Sequence, residues 1–151
     1  MALAASEQFK TIGFELVVND VDSSVWNDSL EANTAQLWCA AWQATADPDM
    51  YQVYYSANAH GQGTNSNHYQ ITDSELDKLI VDARESSDTA YRKATYKTCF
   101  DIILDWGVEL PTYQRKDCTV ASTIRVNVDT LPKDMTPYWG WNAEIENLEM
   151  N

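Results

Sequence analysis

The sequence predicts an α/β domain, a mixed sheet flanked by helices. Three observations carry that expectation. Leu37-Trp-Cys-Ala-Ala-Trp42 is a short apolar run without polar alternation, as in a strand buried on both faces. Upstream, Ile12-Gly-Phe-Glu-Leu-Val-Val18 is rich in β formers, with Ile12, Phe14, Leu16 and Val18 on one side. Downstream of residue 72, apolar residues recur at helical spacing in two successive segments.

Taken in order, the first strand is expected over 12–18. Asn19 to Ser24 is polar and suited to cap a short helix carrying Val25, Trp26 and Leu30. With the strand at 37–42, this makes a strand-helix-strand unit, a parallel pair joined by a right-handed crossover. Pro48 then forces a turn at Ala46-Asp-Pro-Asp49, at the carboxyl end of a strand, where ligands bind in open α/β sheets. Trp42, Thr45 and Asp47 are therefore the first candidates for a binding site.

Met50 to Tyr55 reads as a short helix or turn, and His60 to Asn67 as an exposed loop. Thr72-Asp-Ser-Glu75 matches a capping box, followed by Leu76, Leu79, Ile80 and Ala83 on one helical face. A second helix is expected from Asp88, with Tyr91, Thr95, Cys99, Ile102, Ile103 and Trp106 facing the core and Gly107 ending it. Residues 108–114 and 118–128 read as later strands, the first demoted to an edge or bulge by Pro111. The stretch from Leu131 to Met150 has no periodicity and is expected to wrap a surface. Neither repeats nor linker composition divide the 151 residues, so one domain is expected.

Composition narrows the function classes. A hydrophobic content of 44% marks a globular chain, and a formal charge of −13 opposes phosphate binding, so no nucleic-acid partner is expected. No run approaches the length of a bilayer span, and Met1 to Ala5 is too short for a signal peptide. Cys39, Cys99 and Cys118 are odd in number and lack CxxC spacing, which encodes neither a disulfide framework nor a zinc site; Cys39 and Cys99 read as small core residues.

Among chemical motifs, Asp47 and Asp49 suggest a glycosidase-like carboxylate pair, but aspartates flanking a proline more commonly cap a turn. His60 and His68 are eight residues apart without a nearby cysteine and read as solvated loop residues, with no metal or other cofactor. Gly61-Gln-Gly63 lacks the third glycine of a dinucleotide fingerprint, and no GxSxG, HExxH or Walker pattern occurs. Asn27-Asp-Ser29 matches a glycosylation acceptor of a kind common by chance. Six tryptophans and eight tyrosines are a heavy aromatic load. Trp26, Trp38 and Trp106 fall on periodic faces and read as core, whereas Trp42, beside the turn, reads as a ligand contact.

Trp42…Asp47-Pro-Asp-Met-Tyr51, Thr64-Asn-Ser-Asn67…Tyr69, Glu75-Leu-Asp-Lys-Leu-Ile80, Asp88…Arg92…Tyr96 and Glu109-Leu-Pro111…Tyr113-Gln114 follow one another in this order. The succession, over roughly residues 10 to 150, resembles the C-terminal part of the family 5 extracellular solute-binding proteins, the dipeptide-, oligopeptide- and nickel-binding receptors of ABC importers. The resemblance implies a non-enzymatic receptor with a type II periplasmic-binding fold, in which hinge closure traps a solute between two lobes. Family chains are several times longer, so this chain is expected to be most of one lobe, with a lipid anchor upstream of Met1 and a location outside the cytoplasmic membrane or in the periplasm. The implied partners are a short peptide, held largely through its main chain, and a membrane permease. In many peptide-binding relatives an aspartate three residues after the tryptophan neutralises the ligand's α-amine. Thr45 stands there in this chain, so either Asp47 takes over from a shifted position or the ligand has no free amine. The alternative class is a carbohydrate-binding module or glycosidase domain, suggested by the aromatic load and the acidic pair.

Overall fold

The computed structural model describes residues 2–43, 45–114, 116 and 118–151. It contains five α-helices: α1 (Ala2–Lys10), α2 (Ser23–Glu31), α3 (Tyr51–Tyr54), α4 (Ser74–Glu85) and α5 (Thr89–Asp105). Short 3-10 turns lie at Ser56–Asn58, Val128–Thr130 and Ile145–Asn147. The chain divides into two compact units, Met1–Leu110 and Pro111–Asn151.

This overturns the expected α/β class, and with it the periplasmic-binding type II lobe with a mixed sheet flanked by helices. Among the described residues there is no sheet, only isolated bridges between Val126 and Met150 and between Thr136 and Trp139. The stretches expected as the parallel pair are irregular, without ladder partners, and the crossover is absent. Ile12 and Phe14 are exposed instead of core-facing, and so are Leu37 and Cys39 of the run expected to be doubly buried. Apolar β-branched and aromatic residues favour extended backbone locally, but a strand also needs a neighbour's N–H and C=O groups. That requirement is long-range, and nothing in a single run supplies it. Residues 108–114 and 118–128 likewise form no strand among those described. In the second unit the nearest approach to a ladder surrounds the Val126–Met150 bridge, where Asn127 N–H donates to Glu149 O at 2.9 Å and Asn151 N–H to Arg125 O at 3.0 Å.

The helices do follow from local chemistry. α4 carries Leu76, Ile80 and Ala83 on its buried face. Its cap is Asp73 rather than the expected Thr72: the Asp73 carboxylate accepts from the backbone N–H of Glu75 and Leu76 at 2.9 and 3.0 Å. Asp88 does the same for Ala90 and Tyr91 at the start of α5. Gly107, at φ +64°, occupies the left-handed conformation that ends α5. Buried α5 residues are Thr95, Tyr96, Cys99 and Ile103. Tyr91 and Trp106, expected in the core, are more than two-fifths exposed. The Trp106 indole N–H instead donates to Asp73 at 3.3 Å, tying the end of α5 to the cap of α4.

One core cluster joins Met50, Ile71, Leu76, Ile80, Ala83, Tyr96, Cys99 and Ile103. Burying each large aliphatic member contributes on the order of 2 kcal/mol. Burial pushes the Cys99 thiol up to about 11, which keeps it protonated and unreactive at neutral pH. Beside this core, the segment from Tyr55 to Ile71 is closed by two buried asparagines. Asn67 donates to Ile71 O at 2.8 Å and accepts from Ile71 N–H at 3.3 Å, as a backbone residue would in a ladder. Asn58 donates to Tyr51 O and accepts from Thr64 N–H. The expected loop at 60–67 is thus exposed at its tip but anchored at Asn67. His60 helps to close α2, its Nδ1 lying 3.0 Å from Glu31 O.

Candidate functional site

Three segments of the first unit meet at a row of aromatic rings. The Trp38 and Tyr69 ring centroids are 5.7 Å apart, and Tyr69 stacks on Tyr54 at 5.6 Å with an interplanar angle of 9°. The row ends on a carboxylate, where the Tyr54 hydroxyl donates to Glu109 at 2.6 Å. The Tyr69 phenol lies close enough to the row's carboxylate and to the Trp42 indole for both to act on its proton. Burial, reinforced by the Glu109 charge, pushes both phenols above the ordinary tyrosine range. They stay protonated as donors at neutral pH.

The members reach the row from four parts of the chain. α3 is only four residues long, and its Tyr54 packs against the core from the site side. Tyr69 sits between two residues that fix its backbone, Asn67 through the bonds above and Gln70 at φ +58°. Glu109 follows the left-handed Gly107 that turns the chain out of α5. Trp38 and Trp42 come from the irregular stretch over 37–42.

The structure separates the three sequence-predicted site residues. Trp42 is 52% exposed and joins the aromatic row through Tyr69, while Asp47 turns to the helices. Thr45 donates its hydroxyl to the backbone carbonyl of Asp47, closing the turn. Asp47 accepts from Arg92 Nη1 at 2.8 Å, and Arg92 Nη2 donates to Pro48 O at 3.0 Å. On the other side of the proline, Asp49 accepts from Tyr51 N–H at 2.9 Å and pairs with Arg84 Nε at 3.3 Å. Arg84 in turn lies 4.3 Å over the Tyr51 ring. The Asp-Pro-Asp turn is thus latched to α4 by one arginine and to α5 by another.

The latch decides the electrostatics of the acidic pair. The Arg92 hydrogen bond holds the Asp47 carboxyl below its ordinary value, the opposite of what a general acid requires. No group of three metal-ligating side chains occurs among the described residues. Sequence reasoning missed Tyr54, Tyr69 and Glu109 as site residues, and expected Trp38 in the core, where it is only partly buried. The signals pointing toward them were the heavy aromatic load and, for Tyr69 and Glu109, their places in the motif succession.

Comparisons with protein-family models, with curated proteins and with solved structures return no match for this chain.

Proposed function

We propose that the chain is the solute-contacting part of a non-enzymatic receptor that delivers a small solute, a short peptide foremost, to an ABC importer in the membrane, on the outer face of the cytoplasmic membrane or in the periplasm. The observation that carries the reading is the aromatic row itself. It places an exposed tryptophan, two stacked tyrosines and a carboxylate together beside a well-packed helical hairpin. Flat, rigid faces of this kind provide contact area at little entropic cost, and a few polar groups at their edge orient the ligand. The succession of motifs from Trp42 to Gln114 supports the same reading.

Equilibrium dialysis of the purified chain against radiolabelled trialanine, repeated with Trp42→Ala, tests it. Retention by the parent chain that falls at least tenfold in the variant is the expected result. Retention equal in the two proteins overturns the placement of the site at Trp42, and no retention by the full two-lobed receptor overturns the peptide reading. The half-exposed tryptophans favour one other reading, a carbohydrate-binding module. It predicts binding to a soluble glucan or xylan under the same conditions and none to trialanine.

A further inference from the structure

Glu109 is a half-buried carboxylate with an incomplete set of partners. The Tyr54 hydroxyl occupies one of the roughly four acceptor positions of a carboxylate, and the Tyr69 ring stacks on that tyrosine. No basic side chain lies within ion-pair distance of it among the described residues. The two arginines nearest in role are already committed, Arg84 to Asp49 and Arg92 to Asp47. A partly desolvated negative charge favours a counter-charge, and this one faces a surface shared with aromatic rings.

We propose that Glu109, bordered by Tyr54, Tyr69 and Trp42, is a binding site for an organic ammonium group. An ammonium has donors for the acceptor positions that Tyr54 leaves open. Its charge is attracted electrostatically to an aromatic face such as the exposed Trp42 ring. One carboxylate with two phenols is too few ligands for a divalent metal, which needs several oxygen donors or imidazoles. The formal charge of −13 raises the local concentration of cations around the whole chain. The rings are held by stacking before any ligand arrives, so little ordering is needed on binding. The inference rests on the receptor reading and deepens it: the cationic end of the solute is read at Glu109, and Asp47 is occupied by its arginine.

The test uses the full chain labelled with 15N, benzylammonium chloride as the cationic probe and benzyl alcohol as its neutral counterpart. The readout is the indole N–H resonances of Trp38 and Trp42. Benzylammonium is expected to shift both resonances with saturation, while benzyl alcohol leaves them unmoved. Glu109→Gln, which keeps an acceptor for Tyr54, should weaken benzylammonium at least tenfold with an unchanged far-ultraviolet circular dichroism spectrum. Glu75→Gln, which removes an equal charge from the outer face of α4, should weaken it less than twofold. Equal effects of the two probes, or of the two variants, overturn the site. Trialanine binding that Glu109→Gln leaves unchanged keeps the receptor and overturns the ammonium site; benzylammonium binding lost in Glu109→Gln, without trialanine binding, keeps the site and overturns the peptide receptor.

Discussion

Arg92 spans 45 residues of chain to hold Asp47, its Nη1 at 2.8 Å from the carboxylate and its Nη2 at 3.0 Å from the carbonyl of Pro48. The same side chain lies with its guanidinium 5.8 Å over the Tyr96 ring, so the anchor is itself packed on a buried residue of α5. One arginine thereby fixes a carboxylate and the backbone beside it, the bidentate geometry for which lysine is no substitute.

The sign of the pH response follows from this pair. The folded Asp47 carboxyl titrates below its unfolded value, so the stabilisation is fully present above the ordinary carboxylate range and is lost as pH falls below it through the lowered folded value. Carbon-13 NMR of the Asp47 carboxyl should show titration below the ordinary aspartate range in the parent chain. Arg92→Gln should return it to that range, and amide exchange over 45–49 should accelerate. An unmoved titration would show that Arg92 does not set the charge state.

Gly63 and Gly61 make a matched pair. A Cβ on Gly63 would stand 2.4 Å from both Ala57 O and Asn58 Oδ1, at φ +49°. On Gly61 it would meet nothing within 4 Å, at φ +73°. Gly61→Ala should therefore cost about 1 kcal/mol, the left-handed strain alone. Gly63→Ala should cost roughly 3 kcal/mol, because the buried Asn58 must move as well. Urea unfolding midpoints of the two variants, compared at equal slope, check the difference.

The cap of α4 separates two adjacent residues. Asp73→Ala should destabilise by about 1 kcal/mol, since two backbone N–H groups lose their acceptor. Thr72→Ala should change stability by less than about 0.5 kcal/mol, being exposed and outside the cap. Thermal unfolding of both variants is sufficient, and a larger effect at Thr72 would restore the capping box read from the sequence.

The two long helices were legible because their signals are local. Asp73 and Asp88 precede apolar residues at helical spacing, and a chain needs only its own next turn to satisfy such a pattern. The cap of α4 was misplaced by one residue because Thr72 and Asp73 are both good caps, and only the φ/ψ of the entering chain chooses between them. Residues 12–18 and 37–42 were misread as paired strands for the opposite reason. Their composition favours extended backbone, but register and partner are set by distant segments. Of the site, Trp42 was legible from its place beside the Pro48 turn. Tyr54, Tyr69 and Glu109 were not, because nothing in 54, 69 or 109 taken singly marks convergence. Asp47 was legible as an unusual carboxylate, but its arginine lies 45 residues on, and that partner changes its role.

The two arginine clasps have a mechanical consequence. Because Asp47 and Asp49 are gripped from α5 and α4, the turn is tied to both arms of the helical hairpin. Trp42 lies only five residues upstream of that grip. A displacement of either helix would therefore reach the Asp-Pro-Asp turn through its arginine.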